Sequence, residues 1–114
     1  MFIYKISHNE TILYVGSTLN LAMRKHAHEQ HRKQNRWQHL RLYTYLNVNE
    51  IPANEINYEI LEEINLTNNA HLRYTEQCYI NLLNPPCNHY NSMSLKKFID
   101  YELNEQLIEE FENL

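Results

Sequence analysis

The chain is expected to fold as an α+β sandwich, a central three-stranded antiparallel sheet flanked by helices. Three observations predict it. Two short apolar, β-branched and aromatic runs at 2–7 and 12–16 are separated by a polar string, which is a hairpin signal. A third run of strand type lies at 56–63, and helical patterns at 20–31, 36–47, 68–83 and 94–112 fill the remaining length.

The hairpin can be argued from register. A turn centred on Asn9, a residue that tolerates left-handed backbone, sets Tyr4 opposite Tyr14, Ile6 opposite Ile12 and Phe2 opposite Gly16. Both phenols then share one face, about 5 Å apart at Cβ. A pair so placed either packs or presents two hydroxyls to one ligand.

The next helix begins where Asn20 can cap it. Arg24, His28 and His31 fall at i, i+4 and i+7 and share a stripe. The start of this helix is the end whose dipole favours an anion. His26 and His31 read as a solvated polar face.

The pattern at 36–47 is closed by Pro52, and its Trp37 reads as a core aromatic rather than a wedge for nucleic acid. The helix at 68–83 is closed by Pro85 and Pro86. Leu72, Tyr79 and Leu83 form its apolar stripe, and Glu76 sits inside that stripe. A carboxylate there is costly without a partner, so it either pairs with an arginine or binds a metal ion. In the last helix Leu95, Ile99, Leu103, Leu107 and Phe111 recur every four residues, a stripe that closes the core or makes a homodimer.

At 114 residues the chain is expected to form one core, with residues 1–91 as the main domain and 92–114 as an amphipathic helix packed on it or on a partner. The formal charge is −4, yet Arg24, Lys25, Arg32, Lys33, Arg36 and Arg41 face only Glu29 in their stretch, with His39 among the interleaved histidines. Such a block suits phosphates. The acids lie elsewhere, chiefly in the last segment from Asp100 to Glu112. Cys78 and Cys87 form no CxxC pair and read as reduced thiols. A zinc site built from them with His89 has little support from spacing. With no bilayer-length apolar run and no signal-peptide pattern, an intracellular location, cytoplasmic or nuclear, is the expectation.

In order along the chain stand Ile3-Tyr4, Tyr14-Val15-Gly16, Ser17-Thr18-x-Asn20-Leu21-x-x-Arg24, His28, Glu76-x-x-Tyr79-Ile80 and Pro86-x-Asn88. This ordered set resembles the GIY-YIG nuclease family over residues 2–91. Two departures are that Phe2 stands where the family carries its first glycine, and that the gap from residue 5 to 13 is short. That glycine bears no reacting group.

The resemblance implies a divalent-metal-dependent endonuclease that hydrolyses DNA, duplex or branched, at one active site. Glu76 would hold Mg²⁺ or Mn²⁺, Arg24 would bind the scissile phosphate, and Tyr4 would be the general base or its relay. Tyr14 and His28 would orient water and phosphate oxygens. Asn88, with Asn91 as competitor, would close the site. With such a substrate, the basic block makes Lys25, Arg32, Lys33, Arg36, His39 and Arg41 the expected DNA contacts, and the acidic remainder calls for added grip from a homodimer through the C-terminal helix or from a separate targeting subunit. The alternatives are a DNA-binding module of this fold without catalysis, and a protein-interaction domain in which Glu76 simply pairs with Arg24.

Overall fold

A computed structural model describes residues 1–34, 40–65 and 69–88 of the chain. The expectations for Arg36, Trp37, His39, His89, Asn91 and the helix at 94–112 lie outside these residues. The described elements are β1 (Phe2–His8), β2 (Thr11–Thr18), α1 (Leu21–Lys33), α2 (Leu40–Val48), a 3₁₀ turn (Ala53–Glu55), β3 (Ile56–Glu63) and α3 (Asn69–Leu83). The strands form one antiparallel sheet in the order β2-β1-β3, so the fold is the expected α+β class.

Helices cover both faces of the central strand. On one side Tyr4, Ile6 and Leu13 pack with Leu42, Tyr43 and Leu46 of α2. On the other, Ile3 and Val15 pack with Ile64 and with Leu72 of α3, flanked by Tyr79, Ile80 and Leu83. Strand β1 alternates its side chains between these two clusters, which explains why Ile3, Tyr4 and Ile6 are all fully buried.

The hairpin register differs from the expected one. Tyr4 pairs with Gly16 and Ile6 with Tyr14, whereas Ser7 pairs with Ile12. The turn has shrunk to Asn9 and Glu10 between His8 and Thr11, with Asn9 at φ 53°, and Leu13 is the extra residue of a bulge. The resulting offset is two residues, an even number, so Tyr4 and Tyr14 keep a common face as diagonal rather than direct neighbours. The bulge also lets Leu13 and Tyr14, adjacent in sequence, both reach the cluster around Tyr4.

Asn20 caps α1 as expected, its side chain accepting the Met23 N–H at 3.1 Å. Helix α2 ends in a Schellman arrangement: Ile51 N–H reaches the Leu46 carbonyl at 2.9 Å and Glu50, at φ 54°, reaches Asn47 at 3.2 Å. Arg32 ties α1 to this corner through Asn47 Oδ1 and the Ile51 carbonyl. Among the described residues no helix is long and apolar enough to cross a membrane. Cys78 is exposed and Cys87 buried, both as free thiols.

Candidate active site

Gly16 is the only glycine in the chain, and its position shows why. A Cβ built there would stand 2.7 Å from Tyr14 Cε1 and 2.8 Å from the Tyr4 hydroxyl. Two phenol rings cross over the strand at this point, and only a residue without a side chain leaves room for them. Their centroids lie 6.3 Å apart at a tilt of 50°.

Helix α1 brings its stripe down onto these rings. His28 is 3% exposed and lies with its Nε2 2.8 Å from the Tyr4 hydroxyl and its Nδ1 2.9 Å from the Tyr43 hydroxyl. Arg24, one turn earlier and half-buried, donates from Nε to the Tyr4 oxygen at 3.4 Å. The rings of Tyr14, Tyr43 and Tyr58 also stand about His28, at centroid distances of 6.0, 6.0 and 6.3 Å. One imidazole is therefore ringed by phenols from β1, β2, α2 and β3.

The Tyr4 hydroxyl is fully buried. Burial pushes its pKa up, against the pull of the Arg24 hydrogen bond and charge, with the Glu76 charge adding to the rise. Tyr43 is driven up to about 12 by burial, so it stays a hydroxyl at neutral pH. Burial also raises Tyr58.

Glu76 lies half-buried on α3, at the other face of the sheet. Burial raises the pKa of its carboxyl, while the Ser17 hydroxyl donates to it and the charges of Arg73 and Arg24 act the other way. Ser17 directly follows Gly16, so Glu76 reaches the end of β2 where the phenols lie. Glu76 feels Arg24, and Tyr4 feels Glu76. A carboxylate from α3, a guanidinium from α1 and two phenols from the hairpin thus belong to one electrostatic neighbourhood.

Asn88 engages the backbone of β2 with its amide. Its Oδ1 accepts the Val15 N–H at 3.0 Å and its Nδ2 donates to the Val15 carbonyl at 2.9 Å. Beside it, Cys87 N–H donates to the Leu13 carbonyl at 2.9 Å. The side chain behaves as a short length of strand laid along β2, holding the residue between Tyr14 and Gly16. An Asn88→Ala substitution leaves both polar groups of buried Val15 without these partners. The expected loss is about 1–3 kcal/mol, read as a lower urea midpoint with an unchanged slope.

Four of the six residues expected to contact DNA lie among the described residues. Arg32 is held by Asn47 and Ile51, and Arg41 donates to the Asn88 carbonyl at 3.1 Å. Lys25 is exposed and places its Nζ 5.5 Å from the Tyr58 ring centroid, and Lys33 is exposed. The residue that sequence reasoning missed is Tyr43. Nothing in the sequence singles it out among nine tyrosines.

The fold and these side chains define an α+β protein with a polar site built across the end of a hairpin, reached by helices from both faces. Comparison with protein-family models, curated proteins and solved structures finds no match for the chain.

Proposed function

We propose that this protein is a divalent-metal-dependent DNA endonuclease, hydrolysing phosphodiester bonds at a single site of the GIY-YIG type. The observation that carries this reading is the hydrogen-bonded set Arg24, Tyr4 and His28 within the field of the Glu76 carboxylate. A purely structural cluster gains little from a desolvated carboxylate beside a buried phenol whose ionisation it opposes.

A hard cation at this site would draw its protein oxygen from Glu76. Among the described residues no group of three or more His, Cys, Asp or Glu side chains is placed to hold an ion. Mg²⁺ binds through one or two carboxylates with water and substrate phosphate making up the rest, and Glu76 is suited to that share. When bound, the ion would neutralise charge developing on the scissile phosphate.

Each side chain then has a defined task. Arg24, half-exposed at the site mouth, receives the phosphate and offsets transition-state charge. Its Nε covers the Tyr4 hydroxyl, so drawing the guanidinium toward a phosphate opens that hydroxyl to the attacking water. Tyr4 takes up a proton from the water while passing its own to His28, which is how a phenol of raised pKa can act near neutrality. Tyr14, half-buried beside them, orients the water and phosphate oxygens. Lys25 and Lys33 supply positive charge along α1 for the flanking backbone.

The test is a cleavage panel of plasmid, nicked, flap and four-way-junction DNA with Mg²⁺ or Mn²⁺ and with EDTA. Metal-dependent strand scission supports the reading. Salt-sensitive binding without scission would assign a DNA-binding module instead, and neither binding nor scission would point to protein interaction. Arg24→Ala is expected to lower kcat by about 10²–10³-fold with a far smaller change in KM. A raised KM with kcat unchanged would make Arg24 a ground-state contact instead.

A further inference from the structure

The geometry points to Tyr43 as a positioning residue that, together with the Arg24–Tyr4 contact on the other side of the ring, holds His28 in the Nδ1–H tautomer and keeps Nε2 as a lone-pair acceptor for the Tyr4 proton. This deepens, and for its catalytic part rests on, the nuclease reading.

The assignment follows from accounting for one hydrogen. Among the described residues the Tyr4 oxygen has two polar neighbours, Arg24 Nε and His28 Nε2. A guanidinium N–H can only donate. The Tyr4 hydroxyl hydrogen therefore goes to His28 Nε2, because Tyr4 is 0% exposed and out of reach of bulk solvent. The opposite arrangement, with Nε2–H donating to Tyr4, leaves that hydrogen buried without a partner, which costs about 1–3 kcal/mol.

With Nε2 accepting, a neutral ring carries its hydrogen on Nδ1. The Tyr43 oxygen, 2.9 Å away on α2, is placed to receive it. Arg24, Tyr4, His28 and Tyr43 thus form a directed chain of donors and acceptors.

Direction is what the chemistry needs. As the attacking water loses a proton to the Tyr4 oxygen, the Tyr4 O–H bond breaks and a new N–H bond forms at His28 Nε2. The imidazole becomes an imidazolium with hydrogens on both nitrogens, and Tyr43 already faces the Nδ1–H. The groups around that imidazolium are Tyr4 from β1, Tyr14 from β2, Arg24 on α1, Tyr43 from α2 and Tyr58 from β3. Behind it lies a cavity of about 470 Å³ lined by His28, Tyr43, Tyr58, Glu29 and Arg32. This space is large enough to hold water, which could receive the proton from the imidazolium.

The experiment is long-range ¹H–¹⁵N correlation on histidine-labelled wild type and Tyr43→Phe at neutral pH, paired with single-turnover cleavage. Wild-type His28 is expected as the Nδ1–H tautomer. In Tyr43→Phe the population should shift toward Nε2–H, and turnover should fall about 10- to 100-fold, with KM for DNA little changed. Wild-type His28 appearing as Nε2–H would overturn the inference without recourse to any variant. So would a Tyr43→Phe spectrum identical to wild type, or a shifted tautomer with undiminished turnover. If the wild type fails to cut any substrate, the nuclease reading and this residue's catalytic part fall together, while the spectra still decide the tautomer.

Discussion

Glu76→Gln is expected to abolish metal-dependent cleavage, by about 10³-fold or more, while leaving the protein as stable as wild type or more so. The two halves of this result have one cause. Burial raises the Glu76 carboxyl pKa despite the Ser17 hydrogen bond and two nearby arginines, so the fold holds the charged form at a cost. For an acid whose folded pKa is raised, the folded state binds the proton more tightly. The penalty is absent below the unfolded pKa and fully present above the folded one. At neutral pH wild type bears it and the glutamine variant does not. Urea midpoints at pH 7 and pH 4 check the sign: the variant should gain most at pH 7, and the gap should close in acid. A variant that lost stability at pH 7 would show the carboxylate to be a structural partner. Retained cleavage would remove Glu76 from the metal site.

Gly16→Ala is expected to damage both fold and chemistry. The added methyl meets Tyr14 Cε1 at 2.7 Å and the Tyr4 hydroxyl and Cζ at 2.8 and 2.9 Å. Those atoms belong to rigid rings held in the core, and Tyr4 is pinned further by His28 and Arg24. Overpacking of this kind costs about 1–3 kcal/mol. Relief requires moving Tyr4 off His28, so cleavage should fall together with the unfolding midpoint. A larger change, Gly16→Val, should exceed it on both measures. If Gly16→Ala kept wild-type activity and melting temperature, the two rings would not cross the strand as described.

Much of this architecture is legible from the chain because periodicity is local. β3 runs Ile56–Glu63 as expected, and α3, described over Asn69–Leu83, lies within the expected 68–83. Asn20 announces its cap by type and position. The hairpin register was not legible, since a bulge at Leu13 and a turn of two residues both depend on which side chains the core accepts. The parity of the strand nevertheless preserved the pairing of Tyr4 and Tyr14 on one face. Arg24, His28 and Glu76 could be proposed because each is chemically conspicuous for its place on a helix. Tyr43 could not, because an aromatic on an amphipathic helix looks the same whether its hydroxyl meets solvent or a buried imidazole. Asn88 was readable as special but not as a brace, since its partner, Val15, lies 73 residues earlier. Gln77, buried in the middle of α3 with its amide on Asn81, likewise gave no sign.

The side-chain amide laid against Val15 has a consequence for how copies of this molecule can meet. An outer strand ordinarily offers its unpaired N–H and C=O groups as a template on which another chain can grow. Here those of Val15 are already taken, and the carbonyl of Leu13 with them. The opposite margin of the sheet belongs to β3, whose Glu59, Glu62 and Glu63 would meet the same acids on an approaching copy. Among the described residues, a strand added to this sheet meets occupied groups at Val15 and Leu13 on one border and a row of acids on the other.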